Sequence, residues 1–277
     1  MLTATAPCIV ITRPSAQAGV WAAELQALGF SSRCLPVLEL RALQDEAQQQ
    51  AIKNKILDFD LYQKVIFVSQ NAVEFGMNWL EDYWPQLPIG IEYFAVGATT
   101  AKKLASYGIA VTDLATSASG GMTSEDLLNA PQLQDVDGDK ILIFRGLGGR
   151  GQLAETLRER GAWVDYCELY ERCIPAAASD QLQQLLVDMR VSDAPARDFI
   201  VAVHSGESLQ NLLLLVSQVE HQSQRSALTN LQQLPLLVPS QRIASAAREV
   251  GFSQIICAEN ATDVAMSAAL LQCVKRF

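Results

Sequence analysis

The residue types best suited to chemistry in this sequence lie in the glycine-rich stretch FRGLGGRG, in which the first arginine is Arg145. Its glycines, Gly146, Gly148 and Gly151, have the G-x-G-x-x-G spacing that lets a backbone approach a pyrophosphate at the start of a helix. The stretch stands between an apolar run, KILI, and a helix-like segment, QLAETLRERG. A dinucleotide-dependent oxidoreductase using the Gly146–Gly151 loop is therefore one alternative, although this fingerprint alone is weakly specific.

A second arginine has the same local setting without the glycines. The stretches CIVITRP…LQALGF and KILIFRG…LRERGA each indicate a strand, an arginine, a helix and a terminating glycine, with 16 positions from Arg13 to Gly29 and 16 from Arg145 to Gly161. An arginine at the end of a strand, followed by a helix N-terminus, is a general anion-binding arrangement. The alternative for each arginine is that it only caps a sheet edge or pairs with a surface acid.

Two further pairs of similar stretches follow in the same order along the chain. VIFVSQNAVEF and IVAVHSGESLQ each end a strand at a serine, Ser69 or Ser205, that opens a helix. FAVGATTAKKLASYG and LLVPSQRIASAAREVG form the third pair and end at Gly108 and Gly251. Three pairs in one order, each separated by about half the chain, predict two similar lobes.

Short apolar runs alternate with helical periodicity, which predicts an α/β fold with parallel sheets covered by helices on both faces. We expect each lobe to be a flavodoxin-like, five-stranded parallel sheet. Ser15, Thr99 and Ser240 are predicted to cap helices at their N-termini. The expected strands are Cys8–Thr12, Arg33–Leu35, Lys64–Ser69, Ile91–Val96, Ile109–Leu114, Lys140–Phe144, Trp163–Leu169, Phe199–His204, Leu236–Val238 and Gln254–Ala258.

Length and composition limit the function classes. The chain of 277 residues is long enough for two domains, and its net charge of −9 argues against nonspecific binding to nucleic acid or anionic membranes. With no apparent signal peptide or membrane span, a cytoplasmic location is expected. No metal site is expected, because the histidines are only His204 and His221, without ligand-like spacing. The cysteines form no C-x-x-C pair and are expected to be free thiols; they are Cys8, Cys34, Cys167, Cys173, Cys257 and Cys273.

An ordered set of stretches resembles the uroporphyrinogen-III synthase family of tetrapyrrole biosynthesis, over essentially the whole chain. The stretches are VITRPSAQ, LPVLEL, VIFVSQNAVEF, FAVGATTAKKL, ILIFRGLGGRGQLAETLRERGAWVDYCELYER, VPSQRIASAAREVGF and AENATDVAMSAALL. The resemblance implies a discontinuous domain of residues 1–36 and 172–277 and an inserted domain of residues 37–171. The connectors Pro36–Leu43 and Glu171–Asp180 would then lie side by side as a two-stranded hinge.

The resemblance also implies a function. Members of the family are cyclising hydro-lyases that act on hydroxymethylbilane, a linear tetrapyrrole with eight carboxylates. The substrate loses water to an azafulvene, the last ring attacks at its substituted carbon, and a spiro intermediate rearranges so that this ring is inverted. Because the substrate also cyclises unaided to the uninverted isomer, the main task is to hold a flexible polyanion in one geometry.

Further expectations follow from the resemblance. No cofactor is expected, and the chain is expected to be a monomer that makes transient contact with the preceding enzyme of the pathway. Because a duplicated architecture can also close on a small anion without turnover, a two-lobed, non-catalytic anion-binding module stays as the other alternative.

A polycarboxylate substrate needs many hydrogen-bond donors, and the sequence places hydroxyls, arginines and helix N-termini directly after strands. The predicted substrate-binding residues are Thr12, Arg13, Ser69, Asn71, Thr99, Thr100, Arg145, Gly146, Ser205, Gly206, Ser240 and Thr262. The alternative for each serine or threonine is an ordinary helix N-cap. VHSGESLQ departs from the family's commoner Thr-Ser ending of that strand, which leaves the role of His204 open.

Tyr170, in the stretch CELYER, is the one residue for which the resemblance implies catalysis. It matches the tyrosine that the family places near the cleft at the end of this strand. A phenol there can donate a hydrogen bond to the departing hydroxyl and assist the loss of water as a weak general acid. The alternative is a half-buried tyrosine that packs beside the hinge.

Overall fold

The chain divides into two compact units. The computed structural model describes residues 6–112, 123–191, 199–223 and 231–274. Unit 1 comprises Met1–Leu40 and Cys173–Phe277, and unit 2 comprises Arg41–Arg172. The chain therefore crosses between the units after residue 40 and after residue 172, where the sequence analysis expected crossings after residues 36 and 171.

Strands and helices alternate along most of the described chain. The strands are β1 (Cys8–Ile11), β2 (Ser32–Cys34), β3 (Glu39–Ala42), β4 (Lys64–Phe67), β5 (Glu92–Ala95), β6 (Lys140–Gly146), β7 (Trp163–Cys173), β8 (Phe199–Ala202), β9 (Leu236–Val238) and β10 (Ile255–Cys257). The α-helices are α1 (Ser15–Ala27), α2 (Glu46–Leu57), α3 (Gln70–Tyr83), α4 (Ala98–Ser106), α5 (Ser124–Leu128), α6 (Gln152–Glu159), α7 (Ala178–Val191), α8 (Gly206–Ser223), α9 (Gln241–Glu249) and α10 (Asp263–Val274).

Unit 1 contains a five-stranded sheet with the order β10-β9-β8-β1-β2, in which all neighbouring strands are parallel. This is the flavodoxin-like order, with β1 next to the point where the strand order reverses. Successive side chains of a strand point to opposite faces. Val10 accordingly packs into the core on one face, whereas Ile9 and Ile11 pack with Trp21 on the other. Both faces of the sheet are therefore covered.

Unit 2 also contains a five-stranded sheet, with the order β3-β7-β6-β4-β5. The pairs β7-β6, β6-β4 and β4-β5 are parallel. The backbone N–H of Leu43 donates to the carbonyl oxygen of Leu169 (3.3 Å), and Arg41 forms an ion pair with Glu171 (2.8 Å). Leu43 thus lies beside Leu169, whereas Arg41, two residues earlier, lies beside Glu171, two residues later. The edge strand β3 therefore runs antiparallel to β7. The α/β class and the five strands of each sheet are confirmed. The expectation of an entirely parallel sheet is wrong for unit 2, because its fifth strand, β3, enters at the edge from the crossing segment and runs antiparallel.

The fifth strand of unit 2 differs from the prediction. The predicted strand Ile109–Leu114 is wrong over residues 109–112, which form no strand, and residues 113 and 114 lie outside the described part. The segment still runs beside β5, because Thr112 N–H donates to the carbonyl oxygen of Tyr93 (2.8 Å). The fifth strand is instead β3, which the sequence analysis treated as part of a connector. It can pair because β7 continues to Cys173 and offers a free edge.

The two segments that cross between the units are neighbours in one sheet. One crossing falls within β3 and the other at the end of β7. Because β3 and β7 are hydrogen-bonded to each other, the connection has two paired strands, as expected for the hinge. Bending at this connection stays a prediction.

Two stacked phenylalanines organise one face of the unit 2 sheet. The rings of Phe67 on β4 and Phe144 on β6 lie 4.7 Å apart with an interplanar angle of 11°. Helix α3 crosses this stack closely, because a Cβ added at Gly76 would lie 3.1 Å from the Phe67 ring. On the opposite face Ile66 and Ile143 pack with α5 and α6. The central strands of unit 2 are therefore buried on both faces.

The internal repeat of the sequence corresponds to equivalent places in the two sheets. In unit 1, β1 lies between β2 and β8; in unit 2, β6 lies between β7 and β4. The two arginines therefore lie at the carboxyl ends of equivalent strands: Arg13 comes two residues after β1, and Arg145 is the last residue but one of β6. Ser205 and Ser69 likewise stand at the starts of α8 and α3, which follow the equivalent strands β8 and β4.

The predicted N-caps are only partly correct. Helix α1 begins at Ser15 itself, with Pro14 in the capping position. Thr99 is not the N-cap of α4, because Gly97, at φ +89°, takes that position and the helix begins at Ala98, two residues earlier than predicted. Ser240 is the N-cap residue of α9, but its side chain makes no capping hydrogen bond.

Two glycines of the same helical segment are expected to respond oppositely to alanine. Gly19 lies inside α1, whereas Gly29 follows it at φ +90°, and a Cβ would meet nothing within 4 Å at either position. Gly19→Ala should raise the free energy of unfolding by roughly 0.5–1 kcal/mol, because alanine favours the helix. Gly29→Ala should lower it by about 1 kcal/mol, because an L-residue is strained at positive φ. Urea denaturation followed by circular dichroism measures both, and equal shifts would contradict this backbone explanation.

Candidate active site

Polar groups of unit 2 gather at the carboxyl ends of β4, β6 and β7, the edge at which parallel α/β sheets bind ligands. Gly146 ends β6, Ser69 follows β4, and Tyr170 lies near the end of β7. The pairing of β6 with β7 shifts register between Arg145 and Gly146, so that Gly146 lies opposite Tyr170. The structure thus brings together four of the predicted site residues, which are Ser69, Arg145, Gly146 and Tyr170.

The Tyr170 ring is held from both sides. Phe75 stacks on the ring, with centroids 4.9 Å apart. At Gly146 an added Cβ would lie only 2.7 Å from Tyr170 Cε2, so no larger residue fits without moving the ring. The side chain is 3% exposed. This packing fixes the direction of the phenolic hydroxyl.

The Tyr170 hydroxyl points to the start of α3. Its oxygen lies 3.1 Å from Ser69 Oγ, which accepts a hydrogen bond from the backbone N–H of Ala72 (3.1 Å). The N–H groups of Gln70 and Asn71, in the first turn of α3, have no intrahelical acceptor. Because a helix N-terminus carries partial positive charge, negative charge on a ligand beside it is stabilised.

The glycine-rich loop between β6 and α6 lies on β7. Leu147 N–H donates to the carbonyl oxygen of Tyr170 (2.7 Å), and Gly148 N–H donates to Glu168 Oε1 (3.3 Å). Gly148 has φ +72°, which a residue with a side chain rarely adopts. The loop backbone is therefore attached to the strand that carries Tyr170.

Arg145 is turned into this loop. Its guanidinium donates to the carbonyl oxygens of Gly146 (Nε, 3.2 Å) and Arg150 (Nη1, 3.2 Å) and lies against Gly149. It also lies 4.4 Å from the centroid of the Tyr166 ring. The guanidinium thus fills the inside of the loop whose spacing suggested a dinucleotide site. Its predicted contact with an anion stays a prediction.

The equivalent arginine of unit 1 has different partners. Arg13 forms an ion pair with Asp263 at the start of α10, donates to the carbonyl oxygen of Ala261 (2.6 Å) and lies 5.9 Å from the Trp21 ring centroid. Thr12, directly before it, is fully buried and donates to a backbone carbonyl of β8 (2.7 Å). The structure therefore shows protein partners for both predicted binding residues.

Most of the other predicted donors lie at helix N-termini. Ser205 Oγ accepts from Ser208 N–H (3.0 Å) as the cap of α8, whose first residue is Gly206. Thr262 Oγ1 accepts from Ala265 N–H (3.3 Å) at the start of α10. In the first turn of α4, the predicted donors differ, because Thr99 is exposed whereas Thr100 is buried. The N-cap interpretation thus holds for Ser69, Ser205 and Thr262.

Sequence reasoning missed three residues of the unit 2 cluster. Phe75, Tyr166 and Glu168 contact Tyr170, Arg145 and the loop. Glu168 is signalled only as an acidic residue near the end of a predicted strand. Its spacing from Tyr170 gives no signal, because the register shift pairs Glu168 with Arg145 and Tyr170 with Gly146, on opposite faces of the sheet. Phe75 and Tyr166 give no comparable signal, because their partners come from other strands.

His204, at the end of β8, has a buried imidazole. Both ring nitrogens are buried without a hydrogen-bond partner among the described residues, and the ring meets Trp21 edge-on at 4.9 Å. Burial, with a smaller contribution from the positive charge of Arg13, lowers the pKa of His204 to about 3. The imidazole is therefore neutral at physiological pH.

This buried histidine predicts a loss of stability in acid. The folded pKa of about 3 lies below the unfolded value near 6.5, so stability is fully present above pH 6.5 and falls as the pH drops towards 3. Between pH 7 and pH 5 the free energy of unfolding of the wild type should fall by about 2 kcal/mol more than that of His204→Phe, because phenylalanine cannot titrate. Urea denaturation at each pH measures the difference; parallel curves for the two proteins would contradict the assignment.

Two other kinds of site are absent from the described residues. Within these residues no helix is both long and apolar enough to cross a membrane. Nor do His, Cys, Asp and Glu side chains gather there in groups of three that could hold a metal ion.

Comparisons with known proteins agree on one family. A family model described as uroporphyrinogen-III synthase HemD matches residues 19–268. The uroporphyrinogen-III synthases of Salmonella typhimurium and Escherichia coli are each 35% identical to this chain over 95% of its length and 99% of theirs.

Solved structures show the same fold. A mutant uroporphyrinogen III synthase from Thermus thermophilus has a TM-score of 0.60 at 16% identity, with 98% of this chain and 100% of that chain covered. The uroporphyrinogen-III synthetase from Helicobacter pylori has a TM-score of 0.57 at 17% identity, with 96% and 99% covered. From the family match and the two relatives, the chain belongs to the uroporphyrinogen-III synthase family.

Proposed function

We propose that this protein is a uroporphyrinogen-III synthase, a hydro-lyase that cyclises hydroxymethylbilane with loss of water and inversion of the terminal ring. Membership of the family over residues 19–268 supports this activity. The observation that carries the chemistry is the Tyr170 hydroxyl, held 3.1 Å from Ser69 Oγ at the N-terminus of α3. A fixed phenol beside helix N–H groups is suited to assist the departure of an oxygen leaving group.

Tyr170 acts at the loss of water. As the C–O bond of the hydroxymethyl group breaks, the pyrrole nitrogen lone pair forms the new double bond of the azafulvene and the pyrrole N–H proton passes to water. The departing oxygen gains negative charge and takes a proton to leave as water. Tyr170 donates its proton to that oxygen, with its hydroxyl directed by the contact with Ser69, and the phenol regains a proton from water, which has taken up the one that the pyrrole released.

The remaining task is to position the substrate. A flexible chain with eight carboxylates must be held so that the last ring attacks at its substituted carbon, and pre-arranged donors lower the entropy cost of that geometry. In unit 2 the proposed donors are Ser69, Asn71, Thr99, Thr100 and the N–H groups of the loop at Gly146. In unit 1 they are Arg13, Ser205, Gly206, Ser240 and Thr262. The predicted role of Thr12 is not retained, because its buried hydroxyl already donates to the carbonyl oxygen of Ala202.

We also propose a cytoplasmic, monomeric enzyme that contacts the preceding pathway enzyme transiently. The described cysteines form no disulfide, which is typical of reducing compartments. Because the substrate cyclises unaided, a short path between the two enzymes limits formation of the uninverted isomer. Light scattering of the purified protein tests the oligomeric state, and a stable dimer would exclude the monomer.

The product isomer tests the function directly. The protein is incubated with hydroxymethylbilane, and the products are separated by chromatography. Accumulation of the inverted isomer, uroporphyrinogen III, is expected. If only the uninverted isomer forms, at the rate of the protein-free control, the proposed function is wrong. The alternative of a non-catalytic anion-binding module would then be favoured.

Removing the Tyr170 hydroxyl should slow the chemical step. Tyr170→Phe keeps the ring between Phe75 and Gly146, so thermal stability should be nearly unchanged. A well-placed general acid contributes roughly 100-fold, whereas one binding hydrogen bond contributes about 1 kcal/mol, or some fivefold. The maximal rate should therefore fall well beyond fivefold, and the fraction of uninverted isomer should rise. If the variant keeps the wild-type rate and isomer ratio, Tyr170 has a packing role only and is not catalytic.

Moving the Tyr170 ring should also slow the chemical step, even though the hydroxyl is retained. The Cβ of Gly146→Ala would overlap the Tyr170 ring, at 2.7 Å from Cε2, so the ring must move and the hydroxyl with it. The maximal rate should fall at least about tenfold, since small misplacements of a reacting group are costly. Gly19→Ala, where a Cβ meets nothing within 4 Å, is the matched control and should keep the wild-type rate.

A further inference from the structure

We propose that Arg145 and Glu168 are positioning residues for the reaction, which hold the glycine-rich loop on β7 and so fix Tyr170, and that Arg145 does not bind the substrate. The proposal rests on the proposed function. It reverses the role that the sequence suggested for Arg145, that of an anion-binding group at a strand end.

The first step of the argument is how the Arg145 side chain is used. It is 6% exposed, and its guanidinium donates to two carbonyl oxygens at opposite ends of the loop, those of Gly146 and Arg150. One face of the guanidinium lies over the Tyr166 ring, 4.4 Å from the centroid. A planar group with several donors can bridge two carbonyls and stack at the same time, whereas a lysine ammonium cannot do both.

The second step of the argument concerns the negative charge of Glu168, which lies beside the Arg145 guanidinium. Glu168 Oε1 lies 3.8 Å from Arg145 Nε and also accepts from Gly148 N–H at 3.3 Å. The carboxylate compensates the positive charge of the guanidinium, so the pair attracts an anionic substrate weakly. Removing the Glu168 charge should strengthen anion binding if Arg145 binds carboxylates, but should loosen the loop if Arg145 positions it. The two roles therefore predict opposite effects of one substitution.

The third step connects the loop to the reacting group. Leu147, inside the loop, donates to the carbonyl oxygen of Tyr170 (2.7 Å), and Gly146 lies against the Tyr170 ring. The register shift between β6 and β7 falls at this point, so regular strand pairing does not fix the local geometry. Arg145 and Glu168 supply the missing constraint.

Three variants of the full-length protein test the proposal. Arg145→Lys and Glu168→Gln each remove part of the loop's support with little change in size. Arg158→Lys is the matched control, because Arg158 also lies over Tyr166, at 5.4 Å, but donates to a carbonyl oxygen of β7, that of Val164, rather than to the loop.

The first measurement needs no substrate. Amide hydrogen exchange of Leu147 and Gly148, followed by NMR, should become at least about tenfold faster in Arg145→Lys and Glu168→Gln, since a lost hydrogen bond near a charge is worth a factor of this size. Exchange in Arg158→Lys should match the wild type. Unchanged exchange in both loop variants would overturn the positioning role, whether or not the protein is a synthase.

The second measurement separates positioning from binding. Both loop variants should lower kcat about tenfold, keep KM within about twofold and release more uninverted isomer, because the hydroxyl is misplaced while substrate contacts remain. A raised KM with unchanged kcat in Arg145→Lys, or a lowered KM in Glu168→Gln, would show that Arg145 binds carboxylates and overturn the proposal. A wild type without synthase activity would instead overturn the proposed function, and the exchange measurement would still decide the role of the loop contacts.

Discussion

The pairing of β6 with β7 is the interaction on which the unit 2 site depends. These strands are parallel and in register from Lys140 and Trp163 up to Arg145, where the register shifts and Gly146 comes to lie opposite Tyr170. A register without this shift would place Leu169, not Tyr170, opposite the glycine. Since neighbouring residues of a strand point to opposite faces, the shift decides which side chain meets Gly146.

The same position in the two units shows how neighbouring residues change the use of one arginine. Arg145 is followed by glycines, which let the backbone curve around the guanidinium so that loop carbonyls accept its hydrogen bonds. Arg13 is followed by Pro14, whose fixed φ starts α1 at once, and its guanidinium reaches Asp263 on another element. The duplication therefore preserved the strand and the arginine but not the contacts.

Local sequence patterns predicted much of the fold and part of the site. Apolar runs identified the central strands, and Ser69 was recognisable as a serine between a strand and a helix. The pairing of β3 with β7 and the partners of Arg145 were not predictable, because they depend on strands that meet only in the folded sheet. Ile109–Leu114 was predicted as a strand from its apolar residues, but edge pairing, which the sequence does not encode locally, decides such segments.

The charge of the protein constrains how it can bind a polycarboxylate. At a net charge of −9 the chain as a whole repels such a substrate, although salt limits that repulsion to roughly 10 Å. Binding must therefore come from short-range donors, and the two strand-end arginines are already compensated by Asp263 and Glu168. Beside the compensated Arg13, the donors at the strand ends are therefore neutral hydroxyls and helix N–H groups, and they suit a substrate that must rearrange while bound. A set of weak, distributed hydrogen bonds can hold many carboxylates without fixing any one of them as firmly as a buried ion pair would.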